Sequence, residues 1–235
     1  MKQIFLDSAK QCCKNADRLL DEAQLLEFEQ PLATRYYLSI IAQEEAAKAF
    51  LLYLVAVEVL PWTPLLLRAT RDHKCKQLVG IILDYFSDFD IVLRQIEQRK
   101  LGNVNLEMPA AVRDAMNLLR HEKFGRWESN HWCWAEDPDY DKTALGVAEG
   151  KREIDKQRAL YVELDKTGQV SMTPEQVTND RANSEHGRGR RYESCVRRIV
   201  EGGPQGAWDY ERVENYLRTL FSQQNGFIFI ESGTR

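Results

Sequence analysis

The segment YYLSIIAQEEAAKAFLLYLVAVEVL occupies residues 36–60, and 19 of its 25 residues are apolar. A helix of this composition is buried on most of its surface. We expect it to run from about Arg35 to Leu60, with Thr34 as its N-cap. The other predicted elements are arranged around this helix.

Three charged residues interrupt the apolar segment. Glu44, Glu45 and Lys48 are spaced by three and four residues, so the lysine is expected to share one side of the helix with both glutamates. They form either an ordinary ion pair on a stripe facing solvent or a polar site in the core. The second interpretation follows because an apolar helix keeps charges only where they are paired or line a cleft.

Helical periodicity continues on both sides of this segment. The further predicted helices cover residues 4–29, 65–100, 109–123, 151–160 and 209–223. The Asp-Lys-Thr-Gly turn between Tyr161 and Val170 predicts either a small β-hairpin or an extended arm. The expected fold class is therefore mainly α, an antiparallel helical bundle with an irregular insertion and a C-terminal extension.

The expected organisation is one helical domain with an added C-terminal part. The domain covers residues 1–180, with the irregular insertion at about 102–150, which is rich in Trp, Gly, Asp and Pro after residue 124. Residues 181–235 are expected to form an arginine-rich loop and a terminal helix packed on the domain. Six arginines and two glutamates lie between 181 and 198, and two glycines there favour mobility.

Composition excludes several classes of protein. The chain has 235 residues and a net charge of −4, so it is not a uniformly basic nucleic-acid-binding protein. Its five cysteines are odd in number and scattered, which favours reduced thiols over a disulfide framework. Since we see neither a signal peptide nor a run of about 20 uncharged apolar residues, we expect a soluble cytoplasmic protein without contact with a membrane.

Three segments then show a resemblance to a known family. ATRYYLSIIAQEEAAKA at 33–49, RDHKCK at 71–76 and KQRALYV at 156–162 resemble, in the same order, signature segments of the AbiV abortive-infection family of HEPN-domain proteins. The resemblance brackets about residues 1–180. It implies a HEPN-like helical bundle that is usually dimeric, in a superfamily with many metal-independent ribonucleases of defence and toxin systems.

That resemblance directs attention to the histidines, because HEPN nucleases carry an Arg-x4–6-His motif. The spacing occurs twice, in Arg68–His73 and in Arg126–His131. His73 directly follows the charged helix in a basic context, whereas Arg126 and His131 lie among tryptophans that either stack bases or anchor the insertion. His121 and His186 are expected at the surface. The sequence does not choose between the two pairs.

The candidate site residues follow from these motifs. The candidate catalytic residues are Glu44, Glu45, Lys48, Arg68, His73, Arg126 and His131. The candidate substrate-binding residues are Arg71, Lys74, Lys76 and Arg158. The basic residues around His73 are suited to a phosphate group, or they form only a solvated first turn of a helix.

A zinc site is the alternative to metal-free chemistry. His73 and Cys75, with His131 and Cys133, would supply two histidines and two cysteines. Residues two apart on a helix point to different faces, so His73 and Cys75 would chelate poorly. We therefore expect no metal and no cofactor.

The function expected from the resemblance is antiviral. It is an abortive-infection toxin, a homodimer that cleaves RNA and arrests translation once a phage-encoded protein triggers it. The alternative is a non-catalytic HEPN module that binds RNA or protein and sequesters a translation component.

Overall fold

The computed structural model describes residues 2–87, 108–128, 139–202 and 210–222. Its α-helices are α1 (Lys2–Leu25), α2 (Ala33–Ala56), α3 (Pro64–Ala69), α4 (His73–Ser87), α5 (Ala110–Asn117), α6 (Gly125–Glu128), α7 (Lys142–Glu149), α8 (Lys151–Arg158), α9 (Asn179–Gly202) and α10 (Tyr210–Ser222). A π-helical turn, Leu118–Phe124, joins α5 to α6, and a 3-10 turn, Pro174–Gln176, precedes α9. The mainly α fold expected from the sequence is confirmed.

The long helices α1, α2 and α9 form the first layer of the bundle. Lys2 pairs with Glu58 and Asn15 donates to Glu45, so α1 and α2 run antiparallel. The buried residues of α1 recur every three or four positions, as an amphipathic helix requires: Ala9, Cys13, Ala16, Leu19, Leu20 and Ala23. Helix α2 is buried nearly all round because α4 packs on the side away from α1.

The second layer contains α4, α5 and α7, and α8 lies at its edge against α2 and α4. One continuous core joins the two layers, with Phe50 and Phe86 among its largest buried side chains. Their rings meet edge to face with centroids 5.8 Å apart. Such aromatic pairs add about 0.5–1.5 kcal/mol beyond the area they bury.

The predicted β-hairpin is present, with β1 at Glu163–Leu164 antiparallel to β2 at Val170–Met172. Asp165 accepts hydrogen bonds from the backbone of Thr167 and Gln169, and Gly168 takes a positive φ of 83°. A glycine adopts this backbone conformation without steric cost. The Asp-Lys-Thr-Gly turn therefore closes as expected.

The helix predicted over 65–100 is interrupted. Helix α3 ends at Ala69 and α4 begins at His73. The carboxylate of Asp72 accepts from the Cys75 backbone N–H at 2.9 Å, which starts a new helix. Residues 88–107 lie outside the described part.

Two smaller predictions are wrong. Helix α2 begins at Ala33 without a side-chain cap, so Thr34 is not its N-cap. The described part of the insertion is more regular than expected, because Asp141 caps α7 through the backbone N–H groups of Thr143 and Ala144. Helix α6 also continues directly from the π-helical turn.

The arginine-rich segment is also not a loop. It forms α9, and one of its glycines is required by packing: a Cβ at Gly189 would lie 2.7 Å from Leu20 Cδ2 and 3.5 Å from the Ser39 carbonyl oxygen. Most of its arginines meet carboxylates, for example Arg190 with Asp17 and Asp21. The segment therefore binds its own bundle, and the loop expectation is corrected.

We predict that Gly189→Leu destabilises the fold by about 1–3 kcal/mol, because the added side chain must displace Leu20 and backbone where helices meet closely. Gly187→Leu is the matched control two residues away, where a Cβ meets only an Arg191 side-chain atom at 3.8 Å. That change should stabilise by up to about 1 kcal/mol through helix propensity. Urea unfolding followed by circular dichroism measures both, and equal effects would contradict the packing explanation.

Candidate active site

The Glu44 carboxylate is the centre of a polar cluster buried between α2, α4 and α8. It is 2% exposed. Its Oε2 lies 2.5 Å from His73 Nδ1 and 3.1 Å from Lys76 Nζ. Its Oε1 accepts from Gln77 Nε2 and from Lys156 Nζ, each at 3.0 Å. Four donors from two neighbouring helices therefore converge on one carboxylate of α2.

Lys156 completes the cluster from α8. Its ammonium lies 3.0 Å from His73 Nδ1 and 2.6 Å from Glu153 Oε2, in addition to its contact with Glu44. The side chain is only 3% exposed. The two glutamates and the two lysines, 76 and 156, balance in charge, which is the condition for burying ionic groups at an acceptable cost.

The environment of Glu44 keeps it ionised. Burial by itself raises the pKa of a carboxyl group, but the ammonium groups of Lys76 and Lys156 and the hydrogen bonds from His73 and Gln77 more than offset this effect. The pKa of Glu44 is therefore lowered from its ordinary value of 4.5. Glu44 is therefore an anion at neutral pH, and it contacts Nδ1 of His73.

The arrangement fixes the orientation of the His73 ring. At 2.5 Å from a carboxylate oxygen, Nδ1 must carry a proton, since two lone pairs would repel at that distance. The ring then donates through Nδ1, and in its neutral form Nε2 holds a lone pair. The side chain is 47% exposed, and no hydrogen bond reaches Nε2 from residues 2–87, 108–128, 139–202 or 210–222. A solvent-facing imidazole anchored on a buried carboxylate is suited to general acid–base chemistry.

Glu45 and Lys48 form a separate pair. Lys48 Nζ lies 2.6 Å from Glu45 Oε1, and Asn15 of α1 donates to the other carboxylate oxygen at 3.1 Å. Glu44 instead faces α4 and α8. The expectation that the three charges share one side is thus corrected, because neighbouring positions on a helix point about 100° apart.

The other sequence candidates are dispersed. Arg68 stacks on Trp127, 4.4 Å from the ring centroid, and Arg126 pairs with Glu122 at 2.8 Å. Trp127 therefore serves as an anchor with one face already covered. His131, the partner of Arg126 in the second motif, lies outside the described residues.

The four candidate substrate-binding residues also do not lie together in one site. Arg71, two residues before His73 in the sequence, is exposed. Lys74 Nζ donates to the Glu149 carbonyl oxygen at 2.9 Å. Lys76 is buried on Glu44, so it supports the cluster instead of facing a substrate. Arg158 pairs with Glu163 of the hairpin at 2.7 Å.

Sequence reasoning missed Gln77, Glu153 and Lys156. The available signal was the composition of α8, KREIDKQR, in which Glu153 and Lys156 are three residues apart. Its one aliphatic side chain, Ile154, is 46% exposed while Lys156 is buried. The helix therefore directs polar residues into the bundle. This orientation is not evident from the sequence of α8 alone, because it depends on Glu44 of α2 as the partner of Lys156.

One histidine interpretation is wrong, and another lies partly outside the described residues. His186 is buried, not at the surface, and its Nε2 lies 3.1 Å from the Leu20 carbonyl oxygen. Burial lowers its pKa. The zinc alternative depends on His131 and Cys133, which lie outside the described residues. Within the described part, Glu44, His73 and Glu153 each offer a ligand atom, and these atoms lie within 4.8 Å of one another.

Comparison with known proteins identifies the family. The family model of HEPN-domain AbiV proteins matches residues 5–188. The chain belongs to the AbiV family. The match covers helices α1 to α8 and the first part of α9, and membership indicates an abortive-infection protein of the HEPN type. No curated protein and no solved structure matches the AbiV chain. Among the described residues no helix is long and apolar enough to cross a bilayer.

We predict that Glu44→Gln lowers the free energy of unfolding by about 3–5 kcal/mol, because two buried ammonium groups lose their counter-charge. Glu45→Gln is the matched control on the next residue, whose pair is partly exposed and should cost about 1 kcal/mol or less. Urea unfolding at pH 7 measures both values. Similar losses in the two variants would show that the Glu44 cluster is not special.

The lowered pKa of Glu44 predicts a dependence on pH. The stabilisation it provides is complete above its ordinary value of 4.5 and is lost as pH falls through its lower folded-state pKa. The difference in unfolding free energy between wild type and Glu44→Gln should therefore narrow below about pH 4.5. Unfolding curves at a series of pH values measure it, and a difference that stays constant into acid would contradict the assignment.

Proposed function

We propose that this AbiV protein is a metal-independent endoribonuclease that arrests translation during phage infection. The observation that carries the proposal is the geometry of His73, with Nδ1 bound to a buried anion and the side chain 47% exposed. Family membership supplies the context of abortive infection. The site of action we propose is the cytoplasm.

The chemistry requires three contributions. The 2′-hydroxyl of RNA must lose its proton, the leaving 5′-oxygen must gain one, and the charge on the phosphorane must be stabilised. Nε2 of His73 would accept the 2′-hydroxyl proton as that oxygen attacks phosphorus, while the bond to the 5′-oxygen breaks. Arg71 is exposed and lies two residues before His73 in the sequence. Its guanidinium would stabilise the negative charge of the phosphate.

A second copy of the chain would supply the acid. Each protomer contributes one anchored imidazole from its described residues, whereas cleavage needs a base and an acid. An exposed apolar surface supports self-association; it lies on α8, the following turn and the hairpin, where its side chains are 38–67% exposed. We name it the hairpin surface, and its members are Ile154, Leu160, Tyr161, Val162, Leu164 and Val170. Large exposed apolar patches commonly mark sites of protein interaction.

The same surface supports a second candidate function. An apolar hairpin with open strand edges also suits a protein partner, and this favours a non-catalytic module that sequesters a translation component. A phage-encoded protein would be the natural activator under either function, since a growth-arresting protein must stay inactive until infection. Intact RNA in arrested cells would favour this second function.

We predict that His73→Ala abolishes RNA cleavage and growth arrest, because no other group in the anchored cluster presents a free imidazole nitrogen. His131→Ala is the matched control from the second Arg-x4-His motif and should retain both activities. Total RNA is separated on a denaturing gel after induction in phage-infected cells. Cleavage that persists in His73→Ala, with the protein folded, would reject His73 as the catalytic residue.

For self-association we predict that Leu164→Glu converts the protein from dimer to monomer, since a charge would be buried in the shared surface. Ile4→Glu is the control, because Ile4 is 65% exposed on α1, away from the hairpin. Analytical ultracentrifugation measures the mass of each variant. A dimer that survives Leu164→Glu would remove the hairpin surface from the interface.

A further inference from the structure

The ammonium of Lys156 lies at the point where three potential metal ligands converge. It is 3.0 Å from Glu44 Oε1, 3.0 Å from His73 Nδ1 and 2.6 Å from Glu153 Oε2. The side chain arrives from α8 and is almost completely buried. A cation of the chain itself therefore occupies the centre of the group.

The surrounding ligands form a set that binds divalent metals elsewhere. Imidazole nitrogens and carboxylate oxygens both ligate zinc, and a site with three protein ligands leaves an open coordination position for substrate or water. Here the three ligand atoms lie within 4.8 Å of one another. Metal–ligand bonds of about 2.0–2.2 Å would require these atoms to move closer together. The three side chains are thus grouped around one point, as the ligands of a metal centre are.

Charge explains why the ammonium excludes a metal. With Lys76 also on Glu44, the two lysines balance the two glutamates, so a divalent ion added to the intact cluster would bring two uncompensated charges into a buried place. Without Lys156 the group would carry one net negative charge. The same three ligands would then attract a divalent cation.

We propose that Lys156 takes the place of a divalent metal and acts as a positioning residue for His73. Its ammonium keeps Glu44 charged and in position, so that Nδ1 donates to Glu44 and Nε2 faces the substrate. The catalytic consequence rests on the proposed ribonuclease function. The substitution of a metal by an ammonium group does not, and it can be tested without RNA.

The decisive variant is Lys156→Ala, which removes the ammonium and leaves the three ligands. His73 would then bind zinc through Nδ1, with its proton transferred to Nε2. Lys151→Ala is the matched control on the same helix, because Lys151 is 74% exposed and only pairs with Glu149. The double variant Lys156→Ala with Glu153→Ala removes one of the proposed ligands.

Isothermal titration with Zn²⁺ alone tests the proposal. We expect Lys156→Ala to gain one site that binds at least tenfold more tightly than any site in wild type or Lys151→Ala. The double variant should lose this site. Zn²⁺ should also raise the melting temperature of Lys156→Ala and leave that of wild type unchanged, because a metal that binds only the folded state stabilises it.

Three results would overturn the proposal: tight Zn²⁺ binding by wild type at Glu44, His73 and Glu153, no new site in folded Lys156→Ala, or a new site that persists in the double variant. If Lys156→Ala does not fold even with Zn²⁺, Lys156→Gln replaces it, since the amide keeps the length and removes the charge. Nitrogen-15 NMR of His73 in wild type gives an independent reading. A proton found on Nε2 in place of Nδ1 would overturn the positioning role.

The two proposals fail separately. Loss of the zinc result with RNA cleavage intact would reject Lys156 as a substitute for a metal. Intact RNA with the zinc result present would reject the ribonuclease and leave the electrostatic role of Lys156 in place.

Discussion

A carboxylate placed inside an apolar helix is tolerated only if its neighbours neutralise it, and Glu44 imposes that condition on the fold. Helix α4 must bring Lys76 and Gln77 to it, and α8 must bring Lys156. An uncompensated charge at this depth would cost several kcal/mol. The positions of α4 and α8 against α2 are therefore set by electrostatics as well as by apolar packing, and His73 is held by the same requirement.

A second group of ion pairs attaches α9 to the rest of the bundle. Arg152 of α8 meets Gln43 of α2 and Glu185 of α9, and burial of Glu185 is offset by Arg152 and Arg188, so that its pKa is lowered. On α8, Arg152 of this group lies next to Glu153 of the Glu44 cluster. One short polar helix thus contacts both the candidate site and the long arginine-rich helix.

How much of this the sequence predicts depends on whether a residue's environment is local. The buried helix α2 and the hairpin turn follow from composition and spacing within a few residues, and both predictions are confirmed. Lys156 is different, because hydropathy assigns a lysine in KREIDKQR to solvent and only the distant Glu44 makes its burial favourable. The interpretation of Gly189 is wrong for the same reason. A glycine considered alone indicates mobility, whereas here it allows α9 to pack closely against Leu20 and Ser39.

In the proposed site, stability and reactivity are assigned to different groups. A metal would polarise substrate strongly but would require a ligand set that remains open, whereas the ammonium group of Lys156 is part of the chain and satisfies Glu44 and Glu153 through directed hydrogen bonds. With Lys156 fixed on Glu44 and Glu153, the only member of the cluster that reaches solvent freely among the described residues is His73. The buried ion pairs of Glu44 thus stabilise the site, and the proposed reactive atom is Nε2 of His73.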